Sequence, residues 1–209
     1  MKPPLLMNIN SSVFLKDDVL VMIDRRCLPH KKVEVIAADY EEAARAIEDM
    51  VVQGAGDIAI TAGYGLYLAA VEAERNSELG PEAARSFILA ARERLINTRP
   101  TGRYLPALLA GMIKKVEWEQ AGRSSQLLLA VNAGIDKQQR RSESTGKWAS
   151  QLLEDGDGIL THCFPGAALL YMLCQAKEQG KNVNVICSET RPYLQGARLT
   201  AWSVAELEI

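Results

Sequence analysis

At 209 residues, with 24 basic and 26 acidic side chains and a formal net charge of -2, the chain has room for one large domain or two small ones, and either could bury a real core. The charge balance, and the lack of any basic run interleaved with aromatic residues, argue against a nucleic-acid surface and leave a small molecule or a protein as the expected partner. Four widely spaced cysteines, Cys27, Cys163, Cys174 and Cys187, form no Cys-x-x-Cys pair, so neither zinc nor a disulfide framework is indicated and a reducing cytoplasm is the expected setting.

The N-terminal "MKPPLLMNIN" lacks the apolar core of a signal peptide, and no segment approaches ~18 uninterrupted apolar residues, so a soluble, untargeted protein is expected. "SVFLKDDVLVMID" (12–24) has two apolar runs around Lys16-Asp17-Asp18 and predicts a hairpin; "KVEVI" (32–36) alternates like a third strand. Asp39 then caps a helix with Ala43, Ala44, Ile47, Met50 and Val51 at helical spacing, Glu42 standing as the acid of a capping box and Gly54 as the stop. Helices are predicted from Ala55 to about Arg75, rich in Ala and Gly for close packing, from Pro81 to Ile96, and from about Tyr104 to Gln120, with "NTRPTG" (97–102) as a polar break.

A charged helical connector over 121–150 marks the domain boundary. Beyond it "DGILTH", the helix "GAALLYMLCQAKEQG" stopped by Gly180, and "NVNVIC" (182–187) compose one βαβ unit with parallel strands, followed by another helix. The expected fold is α/β: a small N-terminal β-sheet plus helical domain (1–125), then a connector helix and a truncated Rossmann-like parallel α/β domain (126–209).

In open parallel sheets the ligand crevice lies beyond the carboxyl ends of the strands. The first strand delivers Thr161, His162 and Cys163 there, and the second delivers Ser188, Glu189, Thr190 and Arg191. Cys163 also precedes a helix start, which suits acid/base or nucleophilic work, whereas Cys174 and Cys187 read as small hydrophobes. His162 reads as a hydrogen-bonded structural residue; Glu189 and Arg191 are equally a loop-shaping ion pair or a binding pair. In the first part, "QGAGD" (53–57) puts small residues at a helix start where exposed amides accept an anion, and Arg99 and Arg103 flank Pro100 with fixed positive charge. A helix stop and a solvated loop are the plain readings of those two features.

"LVMIDRRCLP", "AIEDMVVQGAGDIAITAGYGL", "TRPTG", "GDGILTHC" and "EQGKNVNVICSETRPYLQGARLTAW" occur in the order seen in methylthioribose-1-phosphate isomerases, and the chain resembles that family over nearly its whole length. The same superfamily includes ribose-1,5-bisphosphate isomerase and the regulatory subunits of translation initiation factor 2B. The resemblance implies an aldose-to-ketose isomerase acting on a 5-substituted ribose 1-phosphate, with no metal or organic cofactor and a homodimeric assembly. It implies Cys163 as the catalytic thiol, and Gln53, Gly54, Ala55, Arg99 and Gln195 as substrate contacts. His162, Glu189, Arg191 and Asp57 are the supporting candidates. The rival is a non-catalytic sugar-phosphate-binding or regulatory subunit like the initiation-factor relatives.

Departures from the family pattern are local. Gln53 stands where the family has arginine, Phe164-Pro165-Gly166 where it has Asn-Ala-Gly, and Asp57 where it has a small neutral residue. The family's aspartate that pairs with the cysteine has no counterpart up to Ile209, so the expectation is either a fragment or a broken catalytic pair.

Overall fold

The computed structural model describes residues 3–209, which divide into two compact units. One comprises Val13–Arg26 and Val33–Asp136; the other comprises the residues up to Ser12, Cys27–Lys32, and Lys137–Ile209.

In the first unit β1 (Val13–Lys16), β2 (Val19–Ile23) and β3 (Glu34–Ala37) form an antiparallel sheet in that order. Val13 pairs with Met22 and Lys16 with Val19, which leaves Asp17 and Asp18 as a two-residue hairpin turn with φ of 50° and 61°. Positive φ at both central residues matches the right-handed strand twist, and aspartate is among the residues that tolerate it. The central strand is the apolar one: Leu20 to Ile23 are all buried.

Helix α1 (Tyr40–Glu48) begins as predicted, the Asp39 side chain accepting from the Glu42 amide at 2.7 Å. The Glu42 carboxylate reaches back one residue further than a capping box requires and accepts from the Ala38 amide at 2.7 Å. The helix stops well before Gly54. Met50, at φ 62°, takes the left-handed position after the cap; its amide donates to Ile47 O and the Val51 amide to Ala46 O, the paired closure of a Schellman motif. Gly54, at φ 104°, instead caps the start of α2 (Ala55–Arg75).

That helix is buried almost all round from Ala59 to Ala70. The small residues permit it: a Cβ added at Gly63 would stand 2.7 Å from a Val131 methyl. Helices α3 (Pro81–Asn97) and α4 (Tyr104–Ile113) pack on α2. The fourth helix ends earlier than its apolar pattern predicts. Lys115 and Val116 tighten to i to i+3 bonds, and the Glu117 amide is taken by the Gln126 side chain at 2.7 Å, so the chain turns away before Gln120. The connector is one continuous helix, α5 (Arg123–Ser150), whose residues up to 136 belong to the first unit.

The second unit holds the βαβ element: β4 (Gly158–Thr161) and β5 (Asn184–Cys187) pair in parallel, from Gly158 opposite Asn184 to Thr161 opposite Cys187. Between them runs α6 (Ala167–Glu178), ended by a second Schellman closure at Gly180, φ 75°, as the sequence predicts. Ile159 and Val185 face a core of Met7, Leu170, Leu173, Val204 and Leu207. The alternate residues Leu160 and Ile186, paired in register on the other face, are 76% and 61% exposed. The final segment is a π-helical turn, Gly196–Thr200, running into the short α7 (Ala201–Ala205), where the sequence predicts a plain helix. Among the described residues no helix is long and apolar enough to cross a membrane.

Candidate active site

The Cys163 loop follows β4 directly. His162 continues from the strand, and Cys163 then adopts φ 61°, a left-handed conformation that costs a non-glycine residue roughly 1–2 kcal/mol. Both of its backbone polar groups are held. The Cys163 amide donates to Thr190 Oγ1 at 2.9 Å, and the Thr200 hydroxyl donates to the Cys163 carbonyl at 2.6 Å. Phe164 is buried, and α6 starts only after Pro165 and its cap, Gly166. Cys163 thus precedes a helix start, as the sequence predicts, with three residues between it and the first residue of α6.

The loop after β5 supplies the other side. The Ser188 amide extends the parallel pairing to Thr161 O at 3.2 Å. Ser188 Oγ lies 3.3 Å from His162 Nδ1 and 3.3 Å from Thr190 Oγ1, which links the histidine to the threonine that holds Cys163. Glu189 and Arg191 pair with each other at 2.9 Å, with side chains 58% and 80% exposed. Thr190 and Leu194 are also left-handed, at φ 60° and 56°. Such clustering of non-glycine residues in a costly region marks a segment whose surroundings over-determine it.

Gln195 is buried at the start of the π-helical turn. Gly196 follows because nothing larger fits: an added Cβ would overlap the Ser188 carbonyl oxygen. Arg198 fastens the turn, donating from Nη2 to Tyr193 O at 2.7 Å and from Nη1 to Leu28 O at 3.0 Å. The other two thiols of this unit differ in kind. Burial pushes the Cys174 thiol up, Glu178 adding to it, and burial also pushes up Cys187, with the Thr161 hydroxyl pulling the other way. Cys174 packs against the core cluster.

Within the first unit, the predicted anion-binding residues gather around Met50 and the start of α2. The Gln53 side chain, 2% exposed as a residue, donates to Met50 O at 3.1 Å, while its Oε1 has no partner among the described residues. Arg99 donates to Ile47 O at 3.1 Å and reaches the Met50 sulfur; its Nε is buried without a partner among the described residues. Arg103 precedes α4 and is exposed.

One residue that sequence reading misses dominates this corner. Arg25, whose side chain is fully buried, donates to the Gln53 carbonyl and pairs with Asp57 in the first turn of α2. Nothing in the sequence singles Arg25 out; its burial and its partners 28 and 32 residues on are known only from the fold. Thr190 and Thr200 are missed likewise, since threonine at a strand end or in a helix carries no signal until its hydroxyl partner is known.

Residues 51–209 match the model of the initiation factor 2 subunit family. The chain belongs to this family. It is 38% identical over 198 residues to the methylthioribose-1-phosphate isomerase of Fervidobacterium nodosum, and 34% identical over 200 residues to that of Nitratidesulfovibrio vulgaris. Each alignment covers 90% of this chain and 56% of the relative, so the chain spans about half the length of the curated relatives it matches. Among solved structures it is similar to translation initiation factor eIF-2B, subunit delta, from A. fulgidus, with TM-score 0.75 and 32% identity, over 95% of this chain and 60% of that one. It is also similar to 5-methylthioribose 1-phosphate isomerase from Pyrococcus horikoshii, with TM-score 0.73 and 28% identity, over 98% and 57%. The small antiparallel sheet, the helical region and the parallel strand pair that the sequence predicts are the mixed α/β architecture of this family.

Proposed function

We propose that the chain carries the proton-transfer half of an aldose–ketose isomerase acting on a 5-substituted ribose 1-phosphate, methylthioribose 1-phosphate or a close analogue. The observation that carries the reading is the presentation of Cys163 at the carboxyl end of β4, in a left-handed conformation tied at both its amide and its carbonyl. The relatives named as isomerases support the reaction class. In the reaction the ring C1–O4 bond opens and O4 takes a proton, C2 and then the 2-hydroxyl each give one up, and C1 receives one, so the aldose becomes the ketose with no external oxidant or reductant. Cys163 takes the acid/base role on one side of that exchange; by resemblance, its partner is a carboxylate from a later strand of the family fold.

The amides of Gly54 and Ala55, with Arg99, hold the phosphate, and Gln53 and Gln195 contact the substrate. The reading carries with it a homodimeric, cytoplasmic enzyme that uses no cofactor. Cys163→Ser, made in the polypeptide as the cell produces it, tests the thiol's role. General acid–base groups contribute about 10²- to 10⁴-fold, so turnover should fall by at least a hundredfold with substrate binding retained. Turnover within about tenfold of the parent removes Cys163 from the mechanism.

One observation favours a second reading, a sugar-phosphate-sensing subunit without turnover. Gln53 is neutral, and Asp57 places a carboxylate in the first turn of α2, where the buried Arg25 is already spent in neutralising it. Binding of the sugar phosphate without conversion is the outcome that this reading requires.

A further inference from the structure

We propose that Thr190 and Thr200 are positioning residues for the Cys163 thiol, holding it in the orientation from which it transfers a proton; the inference rests on the reading of Cys163 as the acid/base group. Side chains alternate across a strand, so a Cys163 that simply extended β4 would fall on the same side as Ile159 and Thr161. Ile159 on that side packs against the core cluster, and Thr161 is buried. The left-handed turn at φ 61° takes the Cys163 side chain off that alternation. Nothing in the residue itself favours this conformation, and the two bonds that oppose its relaxation come from distant points of the chain: Thr190 Oγ1 on the amide at 2.9 Å and Thr200 Oγ1 on the carbonyl at 2.6 Å.

Both threonines are themselves built into place. Thr190 is left-handed, and its hydroxyl proton has Ser188 O and Ser188 Oγ as acceptors, each at 3.3 Å. Thr200, fully buried, closes the π-helical turn whose first residue, Gly196, lies against the Ser188 carbonyl and whose Arg198 is clamped to Tyr193 O. Thr200 is the last residue of that turn, and its hydroxyl is the one that reaches the Cys163 carbonyl. Serine keeps the hydroxyl at each position, and valine keeps the shape without it. The bonds, not the packing, are therefore what the substitutions separate.

The test compares Thr200→Val, Thr200→Ser, Thr190→Val and Thr190→Ser in the full polypeptide. One readout is spectroscopic: with ¹³C-labelled cysteine, the Cys163 Cα and Cβ shifts should move toward extended-chain values in the valine variants, while those of Cys174 and Cys187 stay fixed. The other is kinetic, with methylthioribose 1-phosphate as substrate: kcat should fall at least tenfold, KM should change less than twofold, and serine should restore kcat to within threefold. Should Thr200→Val not fold, Thr190→Val carries the same test, because it removes the other bond. Unmoved Cys163 shifts in the folded valine variants, a loss expressed in KM, or failure of serine to restore kcat overturns the proposal. If the parent protein shows no turnover, the isomerase reading fails, while the shifts still decide whether the threonines set the conformation of Cys163.

Discussion

Asp57→Ala isolates the contribution of the buried ion pair beneath α2. Arg25 has no solvent-exposed side-chain surface and Asp57 retains 14%, so removing the carboxylate takes an ion-pair partner away from a guanidinium held in the interior. Breaking such a pair from one side costs roughly 3–5 kcal/mol. Arg25 keeps its bond to the Gln53 carbonyl, and Asp57 is not wholly buried, so the lower end, about 3 kcal/mol, applies. With a urea slope of ~2–3 kcal/mol/M for a chain of this size, the unfolding midpoint should fall by about 1–1.5 M, read by circular dichroism. The double variant Arg25→Met/Asp57→Ala removes the buried charge and should recover to within ~1 kcal/mol of the parent. A single variant within ~1 kcal/mol of the parent, or a double variant no better than the single one, refutes the reasoning.

Arg99→Ala should weaken binding of a sugar phosphate by ~1.5–3 kcal/mol in calorimetry and leave the dephosphorylated sugar almost unaffected. Equal losses for both ligands would show that its bond to Ile47 O, at the end of α1, is its whole role. Arg94 on α3 bridges Glu41 and Glu48 on α1, and its hydrogen bond to Glu48 holds that carboxyl below the usual range. A lowered carboxylate contributes stability that is present above its unfolded pKa, ~4.3, and is lost as pH falls through the folded value. Arg94→Gln should therefore lower stability near neutrality and flatten its fall below about pH 5, so that variant and parent converge at low pH; an unchanged acid limb in urea melts would contradict this.

Much of the fold was legible because local chemistry and burial agree. Asp39 caps where a capping residue should, Asp17 and Asp18 turn the hairpin, and the alternation in β4 and β5 survives as one packed and one open face. The misplaced boundaries came from residues acting against type. Met50, not Gly54, took the left-handed position that ends α1, because the Ala46 and Ile47 carbonyls were there to be closed. The fourth helix stopped short because a side chain nine residues on, Gln126, captured the Glu117 amide. At the candidate site, the position of Cys163 after the strand was readable. Its left-handed backbone and its two threonine partners, 27 and 37 residues away, are tertiary facts with no sequence period. Asp57 looked like an unexplained charge until the fold supplied Arg25, 32 residues back, as its partner.

The central claim, a thiol-dependent isomerase rather than a sensor, is tested most directly by following [1-¹³C]methylthioribose 1-phosphate by NMR in the presence of the parent protein. The account predicts loss of the anomeric carbon signal and growth of a CH₂O-phosphate signal from the ketose, at a rate that Cys163→Ser reduces at least a hundredfold. Broadening of the substrate signals by binding, with no ketose formed after prolonged incubation, would contradict it and establish the regulatory reading.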